Sequence, residues 1–211
     1  MRRVAIDARR PAASALADAA PAIATGGIVA IPTDTLYGLA VDPWSRQALA
    51  RLFTVKGRGG DRAVALVAAD LDQVRAQLGE LPTTARTLAS AFWPGPLTLV
   101  VARPAAMPAE LTGGSDRVGV RVPAHDVTRG LCRAASRLLT ATSANLSGEP
   151  ATDDPDVVAR VLGERDVDVL LDAGRTPGGP PSTVVDVLDD GALDRKSTRL
   201  NSSHVSESRM P

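Results

Sequence analysis

The hydrophobic positions of this 211-residue chain change their period from segment to segment, and each change marks an element. In SRQALARLFTVKG (45–57), Leu49, Leu52 and Phe53 recur on one helical face, with Ser45 as the expected N-cap. Further helices are predicted over 14–27, broken near Pro21 and stopped by glycines, and over 70–78, 83–95, 124–136 and 154–163. Short apolar runs predict buried strands at 28–32, 63–68, 96–102, 138–144, 167–174 and 183–188. One strand differs from the rest. In RVGVRVP (117–123), Val118, Val120 and Val122 alternate with Arg117, Gly119 and Arg121, so two guanidiniums share one strand face. The strand–helix rhythm predicts an α/β fold with a twisted, mixed, largely parallel sheet covered by helices.

Composition narrows the classes. Hydrophobic residues make up 44% of the chain, but there are only two Trp, two Phe and one Tyr, so the core must be built from Ala, Val and Leu. The formal charge is zero, which argues against a protein whose main task is gripping a nucleic-acid backbone. A single cysteine, Cys132, excludes an internal disulfide framework and a cysteine-based zinc site. No continuous apolar stretch resembles a signal peptide or a bilayer span, so a cytoplasmic setting is expected.

Rarity picks out the candidate chemistry. Tyr37 is the only tyrosine, Lys56 the only lysine before residue 196, and Asn145 the only asparagine before residue 201; all three are expected in loops after apparent strands. Singly, such residues are most often a rim tyrosine, a solvated lysine and an Asx-turn. Together, at strand ends where open α/β sheets bind ligands, they predict a site. Lys56, Arg58 and Arg62 share a loop with Gly57, Gly59 and Gly60, the makings of an anion site in which Lys56 is a mobile point charge. The loop is neither a P-loop nor a dinucleotide fingerprint. In TATSANLSG, Thr142, Ser143, Asn145 and Ser147 bring hydroxyls and a carboxamide to a strand end. A serine-hydrolase reading of Ser143 lacks a base, because His125 is the only histidine in the body and is expected at a helix start. Cys132 is expected to be packed rather than reactive.

IPTDTLYGLAVD, KGR, FWPGPLTLV, VGVRVPAH, ATSANLSGEP and PPSTVVDV, in that order over roughly residues 12–188, resemble the YrdC-like threonylcarbamoyl-AMP synthases. The resemblance implies a three-layer domain with a deep cavity. It implies a nucleotidyl transfer joining L-threonine, bicarbonate or CO2, and ATP into threonylcarbamoyl-AMP, with release of pyrophosphate. It also implies Mg2+ accompanying ATP, and delivery of the product to the complex that makes N6-threonylcarbamoyladenosine in tRNA, with weak tRNA contact and no membrane. On this resemblance Thr33, Thr35, Tyr37, Arg121 and Ser182 bind threonine, with Arg121 on its carboxylate. Lys56, Arg58, Arg62, Arg117, Ser143 and Asn145 bind ATP, Lys56 and Arg58 being catalytic. No residue is implied as a direct metal ligand. The alternative is a non-catalytic, RNA-binding YrdC/YciO-type paralogue, against which the neutral charge and the scarcity of stacking aromatics weigh.

The sequence departs from that pattern at Gly59 and Ala63, where prolines are usual, and at Val67, where histidine is frequent. The domain is expected to occupy residues 1–194. Residues 195–211 hold five serines against eight in everything before them, and read as a tail foreign to the gene. The arginine-glycine strand that usually closes the domain is expected to be missing.

Overall fold

Three of the six helices start on a short polar side chain that caps them. Ser45 Oγ accepts from Ala48 N at 3.1 Å, which starts α2 (Arg46–Lys56). Asp70 Oδ1 accepts from Gln73 N at 3.0 Å, which starts α3 (Leu71–Leu78), and Asp154 caps α6 (Pro155–Leu162) in the same manner. The remaining helices are α1 (Ala13–Ala24), α4 (Thr83–Phe92) and α5 (Asp126–Ala134). α1 continues through Pro21 instead of breaking there. His125 stands at the N-cap of α5, where it was expected. The computed structural model describes residues 1–57, 59–60, 62–179, 182–188 and 192–197, the last three by backbone alone.

The strands are β1 (Arg2–Ala5), β2 (Val29–Ile31), β3 (Gly38–Ala40), β4 (Ala65–Val67), β5 (Leu97–Ala102), β6 (Arg117–Arg121), β7 (Leu139–Ser143), β8 (Val169–Asp172), β9 (Thr183–Val187) and β10 (Leu193–Ser197). They form one sheet in the order β1-β8-β2-β3-β7-β4-β6-β5-β9-β10. Pairing is parallel at β1–β8, β8–β2, β4–β6 and β5–β9, and antiparallel at the other five ladders, so the sheet is mixed.

Two apolar clusters cover the two faces. On one, Leu49, Leu52 and Phe53 of α2, Val74 of α3, Ala85 and Ala89 of α4, and Val158 and Leu162 of α6 pack on Leu39, Leu66, Leu99, Val118 and Val120. On the other, Leu16, Ala19 and Ile23 of α1 and Val127, Leu131 and Cys132 of α5 pack on Val29, Ile31, Val67, Leu139 and Leu171. Helices on both faces of a sheet make three layers. The second face is covered only in part. α1 packs on β2 and β8, and α5 packs on the Val67 end of β4, while Ala65, Gly119 and Val100 on β4, β6 and β5 stay half-exposed.

The end of the chain corrects one expectation. β10 pairs antiparallel with β9, Leu193 opposite Val187 and Ser197 near Val184, so a closing strand is present. It runs across the expected boundary at residue 194. Its composition, LDRKS, has no apolar alternation to announce it, and its pairing with β9 supplies the order instead.

Candidate active site

β6 sets the site's floor. Val118 and Val120 point into the larger apolar cluster, which turns Arg117, Gly119 and Arg121 to the open face. The registers place Ala65 opposite Ala141, Val100 opposite Gly119 and Asp186, and Thr98 opposite Val184. Ala65, Val100, Gly119, Ala141 and Ser143 are all half-exposed although they lie well inside a ten-stranded sheet. A row of part-exposed small residues at a sheet's centre is the floor of a cleft. A Cβ on Gly119 would stand 3.1 Å from Thr98 Cγ2, so any side chain there would crowd the floor. A hollow of about 200 Å³ opens above this row, among Ala63, Ala65, Thr112, Ser115, Arg117 and Val184.

Following the registers outward, the floor has two ends. Ser143 and Arg117 stand at one, Arg121 at the other with Thr98 and Ser182. Four residue steps along the strand separate the two arginines, roughly 13 Å at the usual rise.

At the first end, two of the three residues singled out by rarity, Lys56 and Asn145, meet with Ser143, whereas Tyr37 does not join them. Lys56 Nζ donates to Ser143 O at 2.6 Å and to Asn145 Oδ1 at 2.7 Å, with Ser143 Oγ at 3.4 Å. Ser143 Oγ donates to the same Asn145 Oδ1 at 2.5 Å, and Asn145 Nδ2 donates to Glu149 O. The main chain repeats the connection, because Ser147 N donates to Lys56 O at 3.0 Å. That bond satisfies one of the carbonyls orphaned at the C-terminus of α2, and Gly57 in the left-handed region (φ 64°) ends the helix. Lys56 is 1% exposed. It is therefore fixed, not mobile as expected: the strand-end loop folds over the helix terminus and encloses the ammonium. Arg62 is exposed on the neighbouring loop, and Arg58 lies outside the described residues. Arg117 donates to Asp186 Oδ1 at 2.6 Å, to Val100 O at 3.1 Å and to Val187 O.

The second end is built around Arg121, whose Nη1 lies 2.8 Å from Asp34 Oδ1. Burial pulls the guanidinium down from its ordinary pKa, and the charge and hydrogen bond of Asp34 pull it back. Thr33 Oγ1 lies 3.0 Å from Thr35 Oγ1 and donates to Leu36 O at 2.7 Å. Ser182 Oγ lies 2.8 Å from Thr98 Oγ1. Tyr37 is fully buried below this loop. Its hydroxyl donates to Gly174 O at 2.8 Å and accepts from Ala173 N at 3.2 Å, and burial holds the phenol well above its usual pKa. As placed, it fastens the loop from below. Val67 is sealed beneath α5, and Cys132, with its thiol pushed up to about 12 by burial, packs beside it with Sγ 3.6 Å from Val67 O. Asp34, Thr98 and Asp186 were not picked out by sequence reasoning. The sequence sign available was that each stands inside a motif already noted, Asp34 in IPTDTLYGLAVD, Thr98 in FWPGPLTLV and Asp186 in PPSTVVDV.

The model of the Sua5/YciO/YrdC family, described as telomere recombination, matches residues 21–196. The chain belongs to this family. A threonylcarbamoyl-AMP synthase of Pyrococcus abyssi is 38% identical over 81% of this chain and 50% of its own length. One of Thiobacillus denitrificans is 38% identical over 77% of this chain and 85% of its own length. Crystallised P. abyssi Sua5 complexed with L-threonine superposes with a TM-score of 0.82 at 36% identity, over 88% of this chain and 54% of that one. The chain thus spans about half the length of the first two curated relatives it matches. Among the described residues, no helix is long and apolar enough to cross a membrane, and no three His, Cys, Asp or Glu side chains cluster as a metal site would require.

Proposed function

We propose that this chain makes threonylcarbamoyl-AMP from L-threonine, bicarbonate or CO2, and Mg2+-bound ATP, releasing pyrophosphate, as the first step of N6-threonylcarbamoyladenosine formation in tRNA. One observation carries the reading above others. A cationic, hydroxyl-rich end and a second guanidinium face each other along one open floor, roughly 13 Å apart by strand rise. That spacing suits a nucleotide and an amino acid brought together over Gly119. Two curated relatives bear the enzyme's name, and a structural relative was crystallised with L-threonine.

In this reading the threonine carboxylate meets Arg121, and ATP lies toward Arg117 and Ser143. The threonine amine takes up CO2 to give a carbamate and releases a proton. A carbamate oxygen then attacks the α-phosphorus, and the bond to pyrophosphate breaks. Charge grows on the phosphoryl oxygens and the leaving group. Lys56 at the base of the Ser143–Asn145 loop and the arginines of the glycine-rich loop stabilise it electrostatically. No side chain becomes a covalent nucleophile. Holding the carbamate in line with the phosphorus is most of the catalysis. Mg2+ arrives with ATP and screens the phosphates.

The test is an assay of the purified protein with Mg2+, ATP, bicarbonate and each amino acid in turn. Pyrophosphate is expected with threonine and not without bicarbonate. Threonine-independent background alone overturns the proposal, the more so if the protein instead binds RNA with a steep salt dependence.

A further inference from the structure

Asp34 has no assigned task, yet its carboxylate is the group that grips Arg121. Their side chains are each 9% exposed, at the C-terminal end of β6. Oδ1 takes Arg121 Nη1 at 2.8 Å, and Oδ2 accepts from Ala124 N at 3.2 Å, so both carboxylate oxygens are engaged. The loop that carries Asp34 is held from several sides. Thr33 Oγ1 accepts from Thr35 N at 3.1 Å, and Thr35 O accepts from Thr176 Oγ1 at 2.7 Å and Gly178 N at 2.9 Å. Arg121 is fixed at its own backbone, where its carbonyl accepts from Ala68 N at 3.0 Å. Among the described residues no other hydrogen bond reaches its guanidinium. One edge of the fork is thus taken by a rigid carboxylate. The other edge meets no protein acceptor among the described residues.

We propose that Asp34 is a positioning residue for amino-acid recognition, holding Arg121 in the plane that receives the substrate's carboxylate. The inference rests on the function proposed above. A guanidinium recognises a carboxylate through two parallel N–H bonds, so its plane must be set within a few tens of degrees before the ligand arrives. A long arginine left to itself would lose that orientation to rotamer freedom, and a fixed partner on the opposite edge removes the freedom in advance. Stability alone is a poor reason for such a pair, because burying two charges roughly cancels their attraction.

The experiment compares L-threonine with L-threoninamide, which lacks the carboxylate, by calorimetry on the full chain. The wild type is expected to prefer threonine. Asp34→Ala is expected to weaken threonine about tenfold while leaving threoninamide nearly unchanged, so that the preference collapses. Asp34→Asn keeps an acceptor at Oδ1 and is expected to restore part of the preference; it also carries the comparison where Asp34→Ala fails to fold. Affinity for ATP should stay within about twofold in either variant. A preference unchanged in both variants, even with a lowered melting temperature, overturns the positioning role alone. Absence of threonine binding in the wild type overturns the proposed function and this inference with it.

Discussion

At the scale of single residues, burial decides role more than identity does. Tyr37 has no exposed surface and spends its hydroxyl on the backbone at Ala173 and Gly174. Its own N–H donates to Thr152 O and its carbonyl accepts from Ala144 N, so four stretches of chain meet on it. Tyr37→Phe should cost about 1 kcal/mol, one hydrogen-bonded hydroxyl, and Tyr37→Ala about 3–5 kcal/mol through the ring-sized cavity it leaves. Urea denaturation measures both, and equal losses from the two variants would show that the hydroxyl, not the ring, fastens the loop. Rarity in the sequence found Tyr37, Lys56 and Asn145, and Lys56 and Asn145 prove to be in contact at 2.7 Å. What it could not give was depth. The glycines after Lys56 suggest an exposed loop, whereas the ammonium is enclosed by a segment 87 residues away, a contact that local pattern does not encode. Asp34 escaped notice for a related reason. An aspartate between two threonines reads as turn chemistry until β6 brings Arg121 beside it.

At the scale of elements, the junction of β6 and α5 couples stability to pH. His125 caps α5 without a side-chain hydrogen bond, and its Nδ1 is buried without a partner among the described residues. Burial lowers its pKa below the ordinary value near 6.5, outweighing the opposite pull of Asp34 and Asp126. The folded state therefore prefers the neutral ring. As pH falls from about 6.5 toward the lowered value, the unfolded chain takes up the proton first and stability drops. His125→Asn keeps a good N-cap and removes the titration. Its stability relative to wild type should rise steadily between about pH 6.5 and 5; parallel curves over that range would contradict the assignment. The six helices were all legible, because amphipathic spacing and capping residues are local signals. The strands β1, β3 and β10 were not. RRVA is an edge strand with mostly exposed residues, GLA is three residues with no β-branched side chain, and LDRKS has a single apolar residue, the exposed Leu193. Such strands exist because a neighbour offers a free ladder, which no window of sequence displays.

At the scale of the whole molecule, β9 joins the two ends of the floor. Ser182 precedes it at the Arg121 end, and Asp186 within it holds Arg117 at the other. β5 supports β9 on one side and β10 on the other, so the last strand protects an element that serves both halves of the cleft. A chain ending after Leu188 would leave TVVDV as an edge with a row of unpaired N–H and C=O groups, a template for another copy. A chain ending after Ser197 keeps the β9–β10 ladder. The shorter chain is expected to lose about 2 kcal/mol, lowering its melting temperature by roughly 4–8 °C, and to associate as its concentration rises. It should also bind ATP and threonine more weakly, because both ends of the floor depend on the same strand. The longer chain should match the full protein in melting, gel filtration and ligand affinity. Equal behaviour of the two truncated chains would mean that β9 holds its place through β5 alone. The closing strand would then be dispensable to a floor whose shape is set by β4, β6 and β5.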